Sequence, residues 1–152
     1  MPFKFRAQVA LDFRARQDEA AQRQLALASA AVRVAEQAYE HAKRALETAL
    51  DRARHEETQE GDVQRLMWYR NWIVGQRGAV AACEATLAAT QRAWRVAQDQ
   101  ANLARRDLRA LERYRDRVLK EWERDERRRE QKALDLLGAL QYTARGTVPG
   151  GQ

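Results

Sequence analysis

The sequence predicts an all-α fold: a long antiparallel two-helix coiled-coil hairpin, with a longer second helix and a disordered C-terminal tail. No glycine or proline occurs between Phe3 and Glu60, or between Ala79 and Leu137. Sandwiches and alternating α/β folds need turn residues every 8 to 12 positions or so, which argues against both classes. Charged residues make up 33% of the chain, with abundant Ala, Arg, Leu, Glu and Gln, a composition typical of long helices.

Two heptad patterns predict the seam, meaning the positions that face the partner helix. Steps of three and four residues from Leu25 meet only apolar side chains, and the same steps from Val80 meet mostly apolar ones. This spacing is typical of a coiled coil, and small alanines allow close approach. The first seam is Leu25, Ala28, Val32, Ala35, Tyr39, Ala42, Leu46, Ala49 and Ala53; the second is Val80, Cys83, Leu87, Thr90, Trp94, Ala97, Ala101, Ala104, Leu108, Leu111, Arg115, Val118 and Trp122, preceded in register by Leu66, Tyr69, Ile73 and Gln76.

The element bounds follow from the turn and cap residues. Residues 1–140 are predicted to form one hairpin domain, with helix 1 at about 5–57, a polar turn at about 58–62 and helix 2 at about 63–137. Asp62 is a suitable N-cap for helix 2, and Gly138 a suitable residue just past its end. Gly75 and Gly78 predict a bend or soft spot in that helix. Residues 141–152 are predicted to be a flexible tail.

The N-terminal segment departs from the heptad. Continued backwards, the first register places Asp18 in the seam, whereas Phe5, Val9 and Phe13 form their own stripe. We therefore expect a helix that begins near residue 4 and contains a stutter around residues 14–20. The aromatic opening could lie on a membrane surface. The preferred alternative is packing against Tyr114, Val118 and Trp122.

The end of helix 2 carries the densest charge in the chain. A turn near residue 60 places residue 5 opposite roughly residue 116, so residues from about 117 to 137 should extend as a single helix. Residues 105–132 contain twelve Lys or Arg and eight Asp or Glu. The simplest interpretation is a solvated, self-paired helix. The residual positive charge suits an acidic ring or cleft, and the interleaved carboxylates count against nucleic-acid binding.

The sequence contains no recognisable catalytic, cofactor or metal motif. His41 and His55 lie off the seam and lack partners for a ligand or base role. Cys83 lies in the seam and is best interpreted as a small buried side chain. We therefore expect no enzyme activity, no cofactor and no small-molecule substrate. No stretch is long and apolar enough for a membrane span, and no export signal opens the chain.

An aromatic cluster follows the turn. It comprises Met67, Trp68, Tyr69, Trp72 and Ile73. An α-helix turns by about 100° per residue, so these five side chains cannot all face one partner helix. Two interpretations remain open. The cluster is either a thickened core at the tip of the hairpin, or a docking patch on which exposed tryptophans anchor a partner.

These features together resemble the flagellar export protein FliJ family over residues 1 to about 137. The resemblance rests on the opening Phe3-Lys4-Phe5-Arg6 with Val9, Leu11, Asp12 and Arg14, on the Trp/Tyr segment at 68–73, and on Glu121-Trp122-Glu123-Arg124 followed by Arg127-Arg128-Arg129-Glu130-Gln131-Lys132-Ala133-Leu134-Asp135.

The resemblance implies a non-enzymatic stalk of the flagellar type III export apparatus, needed for flagellum assembly and motility. Its expected partners are the hexameric export ATPase, the cytoplasmic domain of the export gate, and export chaperones, at the cytoplasmic face of the inner membrane. Expected contacts with the ATPase ring are Phe5, Arg14, Arg117, Arg124, Arg127, Arg128 and Arg129; expected contacts with the gate are Trp68, Tyr69, Trp72 and Ile73. Gln76 is polar where the family has an apolar residue. The alternatives are the stalk of a virulence-type secretion system, a generic cytoplasmic coiled-coil adaptor, and a nucleic-acid-binding hairpin.

Overall fold

Two long helices make up almost all of the described chain. The computed structural model describes residues 1–59 and 62–146, with α1 at Gln8–Glu57 and α2 at Val63–Gly146. The two helices pack against each other, and the described residues contain no strand. The predicted fold class, an all-α antiparallel two-helix coiled coil with a longer second helix, is therefore confirmed.

The seam predicted from the heptads is present on both helices. Every seam position from Leu25 to Ala53 on α1, and from Leu66 to Trp122 on α2, is half-buried or buried. The buried apolar residues are mostly alanines, which lets the helices approach closely. They are Leu11, Ala35, Ala42, Ala49, Ala97 and Ala101.

The predicted stutter around residues 14–20 is wrong. The heptad continues without interruption to the start of α1, through Ala21, Asp18, Arg14, Leu11 and Ala7, none of which is exposed. Asp18 is only 7% exposed. It keeps its place in the seam because Arg105 of α2 donates to both of its oxygens, at 3.4 and 3.2 Å. A paired carboxylate is tolerated where an unpaired one would be costly.

The start of α1 also differs from the prediction. The helix begins at Gln8, and in the preceding segment Phe3 and Phe5 are half-buried while Pro2, Lys4 and Arg6 are exposed. This alternation has the period of an extended chain, so Phe3 and Phe5 can face α2 on the same side only if they are not helical. The predicted helical stripe is absent, since Val9 is 81% exposed.

The start of α2 agrees with the predicted cap, whereas its end does not. The backbone N–H of Gln64 donates to Oδ1 of Asp62 at 3.2 Å, so Asp62 caps the helix as predicted. At the other end, α2 continues through Gly138 to Gly146, so the helix does not end near residue 137. No glycine among the described residues has a positive φ, and Gly138 thus lacks the left-handed conformation of a helix terminator. Of the predicted tail, residues 147–152 lie outside the described chain, as do turn residues 60 and 61.

The glycines at 75 and 78 lie within the continuous helix. No side chain lies within 4 Å of where a Cβ would stand on either residue. Their cost to the helix, about 1 kcal/mol each relative to alanine, is therefore not explained by a close contact with α1.

The chain divides into two compact units. We call residues 1–15 with the chain from 106 onward the terminal unit, and residues 16–105 the central unit. In the terminal unit, the ring of Phe3 lies 5.8 Å from that of Trp122, and the ring of Phe5 lies 5.7 Å from that of Tyr114. The opening segment therefore packs against α2, as the preferred sequence interpretation expected.

The Asp18–Arg105 pair makes a testable contribution to stability. Arg105→Ala leaves a buried carboxylate without its cationic partner, and we expect it to lower the free energy of unfolding by about 1–3 kcal/mol. Urea denaturation followed by circular dichroism measures this change. Arg95→Ala, an exposed arginine of the same unit, is the matched control and should change stability little. Equal midpoints for the two variants would contradict a structural role for the pair.

Candidate functional site

The aromatic cluster of the central unit is a connected stack on α2. The ring of Trp68 lies 5.4 Å from that of Trp72 and 5.0 Å from that of Tyr69, and Tyr69 and Trp72 are 5.9 Å apart. From α1, the guanidinium of Arg52 lies over the Trp72 ring at 5.9 Å. Trp72 thus lies between Trp68 and a cation of the partner helix, which favours a fixed ring orientation.

The four candidate gate residues differ in exposure. Tyr69 and Ile73 are half-buried in the seam, and Trp72 is half-buried beside it. Trp68 is 58% exposed. Tyr69 and Ile73 therefore belong to the helix interface, as a tip core requires, whereas Trp68 has an open indole surface, as a docking patch would require. Gln76 is also half-buried, so its polar side chain lies within the seam register.

A shallow groove of about 570 Å³ lies near the same end of α2. Its exposed apolar residues are Val63, Met67 and Val74, and Arg70 and Arg77 also line it. These five positions follow one helical stripe next to the seam. Of these five residues, only Met67 belongs to the aromatic cluster predicted from the sequence. The other four follow from the same spacing of three and four residues, counted from Val63 instead of from a seam position.

The candidate ring-contact residues near the paired end of the terminal unit are engaged within the fold. Phe5 packs on Tyr114, and Arg117 lies over that same ring at 5.9 Å. Arg14 is half-buried in the seam, where its Nη1 lies 3.3 Å from Oδ2 of Asp107. Phe5 therefore packs on α2, as the preferred interpretation of the opening segment expected, whereas Arg14 joins α1 to α2, a role that the sequence did not reveal.

The remaining candidates lie towards the C-terminal end of α2. Arg128 pairs with Asp125 at 3.9 Å, and Arg129 pairs with Glu126 at 3.7 Å. Arg124 and Arg127 are exposed. Glu126 also lies 3.5 Å from the N-terminal ammonium group of Met1, the last contact of the opening segment with α2.

The unpaired part of α2 begins later than predicted. Every residue from 127 to 146 is exposed, whereas Val118, Leu119 and Trp122 are half-buried. Residues 1–5 are not helical, and an extended stretch advances about 3.3 Å per residue against 1.5 Å for a helix, so the opening segment reaches Glu126, farther along α2 than a helical start would. The exposed segment also carries large apolar side chains that the sequence analysis did not single out. They are Leu134, Leu136, Leu137, Leu140 and Tyr142.

The described residues show neither a metal site nor a membrane span. No group of three or more His, Cys, Asp or Glu side chains within residues 1–59 and 62–146 could hold a metal ion. Neither of the two helices, over its described length, is long and apolar enough to cross a membrane.

The exposure difference between the two tryptophans predicts unequal effects on stability. Trp72→Ala removes a half-buried ring and its contact with Arg52, and we expect it to lower the melting temperature by several degrees. Trp68→Ala removes a mainly exposed ring and should have a clearly smaller effect. Thermal denaturation of both variants measures the difference. A larger loss for Trp68→Ala would mean that the cluster is packed differently.

Comparison with known proteins identifies the family. The family model described as flagellar FliJ protein matches residues 3–147, nearly the whole chain. Neither the search of curated proteins nor that of solved structures found a match. The members of this family are non-catalytic coiled-coil proteins connected with flagellar export. With a two-helix coiled coil and a family match over almost all of its length, the chain belongs to the flagellar FliJ family.

Proposed function

We propose that this protein is the stalk of the flagellar type III export apparatus, which links the hexameric export ATPase to the cytoplasmic domain of the export gate and receives unloaded export chaperones. The observation that carries the proposal is the presence of two chemically different exposed surfaces on one helix. An aromatic surface around Trp68 lies near the start of α2, and a basic helix without an α1 partner lies near its end. Its site of action is then the cytoplasmic face of the inner membrane.

The aromatic surface supports the gate contact. Trp68 is 58% exposed, and its ring packs against those of Tyr69 and Trp72, at 5.0 and 5.4 Å. Exposed tryptophans with apolar neighbours are frequent anchors of protein interfaces. Because Tyr69 is half-buried in the seam and contacts the Trp68 ring, it holds that ring in place, and Trp68 is the residue best placed to enter a partner.

The terminal unit supports the ATPase contact. From residue 127 onward α2 has no α1 segment beside it within the described residues, so all of its faces are available to a surrounding partner. A helix that is basic along part of its length and apolar at the leucines beyond can be held in a ring by both charge and apolar contact.

The family match bears on the alternatives. A flagellar family model covers nearly the whole chain, which favours flagellar export over a virulence-type system. It also favours this function over a generic adaptor or a nucleic-acid-binding hairpin.

The gate contact is tested with Trp68→Ala. We expect binding to the purified gate cytoplasmic domain to weaken about tenfold or more, because an exposed aromatic anchor can contribute about 2 kcal/mol. Isothermal titration calorimetry measures the affinity. Leu27→Ala, which truncates an equally open apolar residue of the central unit, is the matched control and should bind normally.

The same variants separate the two halves of the proposal. Trp68→Ala should still bind the hexameric ATPase, because the substitution lies in the other unit. If Trp68→Ala and Leu27→Ala bind the gate domain equally well, the aromatic surface is not the gate contact. If the wild-type protein binds neither the ATPase nor the gate domain, the stalk function is rejected.

A further inference from the structure

The basic residues of α2 in the terminal unit are not scattered around the helix. Six of them follow one another at steps of three or four residues and are all exposed: Arg109, Arg113, Arg117, Lys120, Arg124 and Arg127. At about 100° per residue they fall within an arc of about 80° on one side of the helix. The seam residues Leu111, Val118 and Trp122 lie on the opposite side.

The carboxylates that interleave with these residues in the sequence lie elsewhere on the helix. No Asp or Glu between residues 109 and 127 falls inside the arc; Asp116 lies about 20° outside one edge, and Glu123 and Glu121 lie about 40° outside its two edges. Asp116 pairs with Arg115, at 3.6 Å, rather than with a member of the arc. Among the described residues, no ion pair joins the six cations to a carboxylate. The helix therefore separates charges that the sequence mixes.

We propose that these six side chains form a one-sided basic ridge that docks on a carboxylate-lined protein surface. The ridge runs about 27 Å along α2. Neighbouring cations are separated by about 4.5 or 6 Å along the helix axis. A facing helix with carboxylates at steps of three and four residues has the same spacing. Five of the six residues are arginines, whose planar guanidinium matches a carboxylate in a bidentate manner.

An acidic protein suits the ridge better than the other anionic partners. Within the arc there is no aromatic or large apolar side chain that would insert into a lipid surface or stack on a nucleic-acid base. The inference rests on the proposed function, in which the acidic surface is the wall of the export ATPase ring. It deepens that function by assigning the contact to one side of the helix. Arg128 and Arg129, which pair with Asp125 and Glu126, are not part of this ridge.

Two variants of equal charge test the ridge. The ridge variant combines Arg109→Gln, Arg113→Gln and Lys120→Gln. The control variant combines Arg77→Gln, Arg92→Gln and Arg95→Gln. Each variant removes three positive charges from exposed positions of α2, and glutamine has a similar helix propensity. Circular dichroism should therefore give similar melting curves for both.

Affinity for the purified hexameric ATPase is then measured at several salt concentrations. We expect the ridge variant to bind about tenfold to a hundredfold more weakly than wild type at low salt, and to lose most of the salt dependence. The control variant should stay within about threefold of wild type. Equal weakening of both variants would show that only net charge matters and would overturn the ridge.

Two further outcomes are distinguishable. If the wild-type protein does not bind the ATPase, the proposed function fails and the ridge assignment fails with it. If the wild-type protein binds the ATPase and the ridge variant binds equally well, only the ridge assignment fails. Vesicles containing phosphatidylglycerol and a short DNA duplex serve as other anionic probes. Loss of binding by the ridge variant to either probe, with ATPase binding unchanged, would overturn the choice of an acidic protein.

Discussion

The close packing of α1 and α2 along an alanine-rich seam is the constraint on which the other features depend. Apart from Leu11, the buried apolar side chains are alanines, and each removes little apolar area from water, at about 25 cal/mol per Å². Stability must therefore accumulate over many heptads rather than in a central core. Two packed helices have no third element to close a cavity between them, so recognition is expected on exposed helix faces and in shallow grooves such as the one near the start of α2. The same close approach leaves large residues such as Trp68 and Tyr114 at the edge of the seam, where they remain open to solvent.

Polar side chains within the seam add specificity to this packing. An all-apolar alanine seam would tolerate shifts of one heptad, because neighbouring heptads offer nearly the same surface. Asp18 with Arg105 in the central unit and Arg14 with Asp107 in the terminal unit each join α1 to α2 at a defined position. A shifted alignment would leave Asp18 buried beside an unmatched residue, at a cost in desolvation. Such pairs stabilise one register against its neighbours even where their net contribution to stability is small.

Periodicity predicted the parts of this structure that depend on period alone. The seam, the pairing of the opening segment with Tyr114 and Trp122, and the cap at Asp62 all follow from local spacing or residue type. The stutter was predicted because Asp18 is polar, and its partner Arg105 is distant in the sequence. The prediction that α1 begins near residue 4 was wrong because Phe3 and Phe5 pack with the period of an extended chain. The predicted end of α2 near Gly138 was wrong because a single glycine costs a helix only about 1 kcal/mol, which good helix-forming neighbours can offset.

The charged residues near the end of α2 also show why the sequence alone predicted only part of the candidate site. Counting charges over residues 105–132 suggests a self-paired helix, because acids and bases alternate in the sequence. Alternation in sequence becomes separation in space once a helix places residues three and four apart on one face. The side chains that α2 turns towards α1 then serve the seam, those on the opposite side are free to be basic, and the acids occupy the borders between them. A partner that approaches from outside therefore meets a surface whose charge is much more uniform than the sequence suggests.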